Sequence, residues 1–324
     1  MGLGPTNTIL LRSLLVSALT TSITIASTYP ISCETVIDNK VFSFNMLSAA
    51  RKEPMPRRLE LISRQFLGAP YSMYVLGDSL KSDIDQCPLI RLDKFDCETF
   101  VTSMLALAFS NNKEDYIRCL RILRYHDGEV GFLTRHHFTS SEWNRENIQQ
   151  GFIQDITKSI VNKHKKNVFK LSRTMIDKAA WLKKLPASSV RLVHQEEVAK
   201  KLNLLKQQAA ACKKVYVKLP YIPLTELFLK NGQANNFLFN QIPNGAIIEI
   251  IRPNWNLKNK IGTNLDVSHM GFAFRYNGKL WFRNASSLKQ KVIDVPLVEY
   301  LKLAQSSSTI KGINVQIVLS NAHC

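Results

Sequence analysis

Two residues stand in settings that suit nucleophilic chemistry, Cys97 and His269. Cys97 directly follows Asp96, a helix-capping residue type, and Val101, Met104, Leu105 and Ala108 continue from it at helical spacing. A thiol in the first turn of a helix gains from the partial positive charge there, which raises its thiolate fraction. Asp96 and Glu98 act against this, so an imidazole beside the sulfur is needed to take its proton. His269 offers one, within the strand-like run Ser268-His269-Met270-Gly271-Phe272.

The turn after that run predicts a neighbour for the histidine. Asn277-Gly278 between two apolar runs is a strong two-residue hairpin signal. If Tyr276 pairs with Lys279, the count places Gly271 opposite Asn284 and His269 opposite Ser286. Side chains alternate with period two, so His269 and Asn284 share a face as diagonal neighbours, with Gly271 leaving space between them. An amide oxygen there accepts from one imidazole nitrogen and leaves the other free as a base. A helix-borne Cys, a strand-borne His and a polar orienting group, here Asn284, make a Cys–His nucleophilic set.

These residues need elements to hold them. Residues 46–67 read as helical up to the stop at Gly68-Ala69-Pro70, and a second helix begins at Asp96. Residues 115–123 and 193–211 read as further helices, the latter with Val198, Leu202, Leu205 and Ala209 on one face and lysines on a solvated one. Residues 158–184 are basic and fit neither period well. Strand signals begin after Pro220, with 246–251, 268–275 and 280–284 the clearest. Helix-rich first, antiparallel sheet second, the chain is expected to be α+β.

The bulk composition is globular, with 45% hydrophobic and 21% charged residues in 324. The formal net charge is +18. Residues 158–218 carry 16 Lys and Arg against three acids (Asp177, Glu196, Glu197), a net +13 of that total. Such an excess favours anionic partners, and a basic non-enzymatic binding module is one reading of it, but no nucleic-acid motif appears. Residues 1–26 resemble an export signal: Arg12, an uncharged apolar-rich run, then Ala26 and Ser27. No later stretch reaches the length of a membrane span, so a soluble exported protein is expected. The six cysteines contain no Cys-x-x-Cys pair, which disfavours a zinc ribbon, and their spacing leaves any disulfide pairing open. His136 and His137 are adjacent and lack metal-ligand spacing.

The ordered motifs resemble one family. Asp96-Cys97-Glu98-Thr99-Phe100-Val101 is similar to the nucleophile motif of the NlpC-type cell-wall peptidase superfamily, and more narrowly of its N-acetylmuramoyl-L-alanine amidase-like branch. Phe66-Leu67-Gly68-Ala69-Pro70-Tyr71 resembles the segment ahead of it. Arg124-Tyr125, Gly128, Arg135-His136-His137-Phe138, Trp143, Asn147, Gly151 and Asp155-Ile156-Thr157 resemble its middle motif. Tyr221-Ile222-Pro223, Ser268-His269-Met270-Gly271-Phe272 and Arg283-Asn284-Ala285-Ser286-Ser287 follow in order. The likeness covers roughly residues 60 to 317. Two departures stand out: the family often has His at the position of Asn284, and its usual Gly-Asp is Gly245-Ala246 here.

The resemblance implies a papain-like core, with residues 27–324 a single catalytic domain carrying helical insertions around 111–211. It implies a periplasmic cysteine hydrolase acting on peptidoglycan or muropeptides, anhydro or not, at the amide between the muramoyl lactyl group and L-alanine. An endopeptidase cutting within the stem peptide is the nearest alternative. Catalysis would fall to Cys97, His269 and Asn284, with no metal or cofactor. Tyr71 and Arg135 would contact substrate carboxylate or sugar, and Trp143 would stack on a sugar face. A rival serine constellation also exists. Gly77-Asp78-Ser79-Leu80 resembles the GDSL esterase motif and Asp266-x-x-His269 its partner, making Ser79 nucleophile, His269 base and Asp266 orienter. It lacks a Gly-x-Asn-Asp block for the oxyanion.

Overall fold

The computed structural model describes residues 49–324. The export-signal reading of residues 1–26, like Cys33, lies outside them. Helix α1 (Met55–Arg64) begins after Pro54, and residues 51–54 interrupt the helix expected over 46–67, because Pro54 and Pro56 suit only the start of a helix. It ends near Gly68, whose φ of +88° suits glycine. Helix α2 (Cys97–Phe109) starts where expected. Asp96 accepts from the Thr99 N–H (2.8 Å) and Thr99 Oγ1 accepts from the Asp96 N–H (2.9 Å), a reciprocal capping box. All its residues from Thr99 to Ala108 are buried, so α2 is enclosed on every side rather than along one stripe. Helix α3 (Lys113–Arg124) packs beside it, and the Cys119–Cys324 disulfide ties α3 to the C-terminus. Cys87 is also disulfide-bonded, whereas Cys97 and Cys212 are free thiols.

The short helix α4 (Asn144–Gln149) leads into β1 (Ile153–Asp155) and β2 (Lys170–Asp177), then α5 (Lys178–Lys183) and α6 (Val198–Gln207). Strands β3 (Lys214–Pro223), β4 (Ala246–Asn256), β5 (Asn264–Tyr276), β6 (Lys279–Ser286) and β7 (Lys291–Pro296) follow, then α7 (Leu297–Ala304) and β8 (Gly312–Val318). The sheet has the order β2-β3-β8-β4-β5-β6-β7, with β1 on β8. The fold is α+β, with every strand pair antiparallel.

Strands therefore start well before Pro220, and the 111–211 region is not purely helical, since it contains β1 and β2. Their absence from the sequence reading has a physical cause. The inward face of β2 is Ser172, Thr174 and Ile176, only one of them apolar, so no period-two signal stands out. Hydrogen bonds replace apolar burial there: Thr174 Oγ1 accepts from the Asn254 N–H at 3.1 Å.

Each face of the sheet has its own core. Met270, Phe272 and Phe274 of β5 and Ile247 of β4 pack in one cluster with Leu59 of α1, Phe100 and Met104 of α2, and Phe95 just ahead of α2. Ala273, Phe282, Ile248 and Ile250 face the other way, toward Leu297 and Leu301 of α7. Buried Arg283 locks the first layer. Its guanidinium forks onto Asp294 (2.8 and 2.7 Å) and reaches Ser63 Oγ and Glu60 O of α1.

Candidate active site

The β5–β6 hairpin has the register counted from its turn. Tyr276 pairs with Lys279 and Phe272 with Arg283, while Asn277 and Gly278 take positive φ of 51° and 71° as a mirror-image turn requires. Gly271 thus lies beside Asn284. A Cβ on Gly271 would meet Arg283 O at 2.5 Å, Phe282 Cε2 at 2.8 Å and Asn284 Cβ at 2.9 Å, so only glycine fits. Through that gap His269 Nε2 meets Asn284 Oδ1 at 2.9 Å. The Asn284 Nδ2 group donates to Phe282 O (3.2 Å), which fixes the amide with its oxygen toward the ring. Nε2 therefore carries the proton, and Nδ1 is the basic nitrogen.

Cys97 comes to this strand from the other direction. It opens α2 and packs on the core cluster that contains Met270, the residue after His269, so that the backbone N–H groups of Met270 and Glu98 lie close enough to influence the sulfur. Both favour the thiolate. They are outweighed: burial first, then the charges of Asp96 and Glu98, push the Cys97 thiol up to about 12. Burial also lowers His269 below its ordinary 6.5, against the Asn284 hydrogen bond that raises it. At neutral pH these shifts favour a neutral thiol and a neutral imidazole.

Glu98 is itself perturbed. Burial, then Asp96, raise it to about 8, with Arg124 and Arg135 pulling the other way. It is mostly uncharged at neutral pH, so Glu98→Gln should leave Cys97 alkylation by iodoacetamide unchanged well below pH 8. Above pH 8 the wild type acquires a carboxylate that disfavours the thiolate, and the variant should alkylate several-fold faster. Equal rates across the range would remove Glu98 from the control of Cys97.

Two tyrosines complete the enclosure. Tyr71 is set beside the start of α2 by a parallel bridge to Phe95, and the charges of Cys97 and Asp96 add to burial in raising its pKa. Tyr300 on α7 was not singled out by the sequence. Its ring stacks on His269 with centroids 6.2 Å apart and planes at 25°, and packs on Phe282 at 5.0 Å. Burial and then the nearby Cys97 charge raise its pKa as well, so its phenol stays protonated. No local signal marks Tyr300, because α7 reads as an ordinary amphipathic turn.

Other expected residues lie elsewhere. Trp143 is 0% exposed and its Nε1–H donates to Thr102 Oγ1 (3.0 Å), so it is a core residue and offers no face to a sugar. Arg135 is held at Nε and Nη2 by buried Asp78 (2.6 Å) and Asp85 (2.7 Å), and it lines a cavity with His126, His136 and Lys178. The serine constellation does not assemble. Ser79 sits in a loop with its N–H on Cys87 O, and Asp266 accepts from the Ser140 hydroxyl, while His269 is held by Asn284.

Comparison with known proteins agrees with this architecture. A Legionella pneumophila protein, LPG0564, is 42% identical, with 85% of this chain and 92% of that chain aligned at a TM-score of 0.83. An N-acetylmuramoyl-L-alanine amidase from Bacteroides uniformis is 26% identical over 82% of this chain and 99% of that chain, with a TM-score of 0.54. No curated protein sequence matches. The model of the AmiA-like family, described as N-acetylmuramoyl-L-alanine amidase-like, matches residues 61–310. Since that match takes in most of the chain, including both sides of the Cys97 and His269 site, the chain belongs to the AmiA-like, N-acetylmuramoyl-L-alanine amidase-like family.

Proposed function

We propose that this protein is an exported cysteine amidase of papain-like design that cleaves the bond between the muramoyl lactyl carbonyl and L-alanine in peptidoglycan fragments. One observation carries the cysteine mechanism. The strand that presents His269, oriented by Asn284 at 2.9 Å, also packs its next residue, Met270, in the cluster on which Cys97 sits at the start of α2. Family membership and the amidase named among the structural neighbours support the choice of bond.

In this mechanism His269 Nδ1 takes the Cys97 proton as the sulfur attacks the lactyl carbonyl carbon. The carbonyl π electrons move to oxygen, and the Cys97 N–H at the α2 N-terminus holds the oxyanion. Collapse breaks the C–N bond, and the imidazolium returns its proton to the L-alanine nitrogen. A water, deprotonated by His269, then attacks the thioester and releases the muramoyl acid with the thiol restored. The Tyr71 hydroxyl, protonated throughout, is available to the substrate as a donor.

The test is mass spectrometry of defined muropeptides after incubation with wild type and Cys97→Ala. A free peptide beginning at L-alanine, formed by wild type only, supports the reading. A cut within the stem peptide would assign an endopeptidase instead, and product from Cys97→Ala would remove the cysteine. Tyr300 serves here as a positioning residue that keeps water off the His269–Asn284 bond. Tyr300→Ala should lower kcat about tenfold and shift the acidic limb of the pH profile, while Tyr300→Phe, which keeps the stack, stays near wild type.

A further inference from the structure

The basic region has a defined surface. Strands β2 and β3 form a ribbon in which Arg173 pairs with Lys218, Met175 with Tyr216 and Asp177 with Lys214. Its inner face, which includes Ser172, Thr174 and Leu219, is buried. The alternate positions point outward, and there Met175 and Tyr216 are 41% and 50% exposed. Lys214 is matched by Asp177 at 3.1 Å. Arg173 and Lys218 form none of the ion pairs among the described residues, although they stand directly opposite one another. Like charges in that position weaken a sheet, so the fold itself gains nothing from the pair. The turn leading into β2 adds exposed Lys163, Lys165 and Lys166.

We propose that this outer face docks on an anionic phospholipid bilayer. Charge complementarity assigns the phosphates to Arg173, Lys218 and the lysine turn. The apolar pair next to the cations chooses a bilayer over a soluble polyanion. A phenol sits well at headgroup depth and a thioether at the acyl boundary, whereas a polyphosphate or glycan in water makes no use of an exposed methionine. Among the described residues no helix is long and apolar enough to cross a membrane, so this contact is at the surface. The inference is independent of the amidase reading.

The experiment is cosedimentation of the full chain with vesicles of equal parts phosphatidylglycerol and phosphatidylcholine, against phosphatidylcholine alone, at low and high salt. Binding is expected only to the anionic vesicles and is expected to fall with salt. Arg173→Gln with Lys218→Gln should weaken it about 25-fold, at about fivefold for each cation removed. Met175→Ser with Tyr216→Ser should weaken it too while leaving its salt dependence unchanged. All four side chains are on the exposed face, so unchanged thermal melts keep unfolding from mimicking the result. No binding to anionic vesicles, equal binding to neutral ones, or wild-type binding by either double variant overturns the proposal. Binding to soluble heparin as strong as to vesicles, indifferent to Met175→Ser and Tyr216→Ser, would assign a polyanion instead.

Discussion

His269→Ala is expected to lower kcat/KM for muropeptide hydrolysis by roughly 10⁴-fold, because Cys97 loses the group that takes its proton. The effect should be this large because nothing else compensates. With the thiol pushed up to about 12, the sulfur has almost no thiolate of its own at neutral pH. The loss should appear in kcat, with KM little changed, since His269 acts on the transition state. Asn284→Ala should cost about 10²-fold, the usual effect of misplacing a catalytic ring by about an ångström. Asn284→Asp tests the sign of the electrostatics. A carboxylate beside the ring favours imidazolium and raises the His269 pKa, whereas the base must be neutral. The acidic limb of kcat/KM, expected below pH 6.5 in the wild type, should therefore move to higher pH. Steady-state kinetics across pH read all three variants, and a His269→Ala enzyme within tenfold of wild type would end the general-base assignment.

Gly271→Ala should be nearly as damaging, although the residue touches no substrate. The added Cβ would stand 2.5 Å from a backbone oxygen, Arg283 O, which no rotamer change can move. Strands β5 and β6 would have to separate there, at about 1–3 kcal/mol in stability. The separation would also open the 2.9 Å contact between His269 and Asn284, so activity should fall about as far as in Asn284→Ala. Chemical denaturation measures the first effect and kinetics the second. Gly278→Ala is the control. Nothing lies within 4 Å of a Cβ there, so it should show only the modest strain of a positive φ at the turn and keep its activity. If Gly271→Ala kept full activity, the gap at 271 would not be what brings the pair together.

The local parts of the site were legible because their causes are local. Asp96 caps α2 through bonds to Thr99, three residues away. Asn277-Gly278 sets a turn type, the turn sets the register, and the register with period-two alternation puts Asn284 beside His269. Only tertiary structure decided the rest. Cys97 meets β5 because a mostly apolar helix is drawn between the sheet and its neighbouring helices, and that depends on summed burial across distant segments. The same burial took Trp143 into the core, and paired charges took Arg135 with Asp78 and Asp85, although both side chains looked suited to a ligand. The insertion of β8 between β3 and β4, and the cover that Tyr300 gives His269, arise from the last quarter of the chain folding back, which no window of neighbouring residues encodes. Sequence alone determined the class of fold and the His269–Asn284 pair, both set by periodicity and turn chemistry. Tertiary packing decided which thiol is brought to the His269 strand and what covers the histidine, because contacts between distant segments depend on burial accumulated over the whole domain.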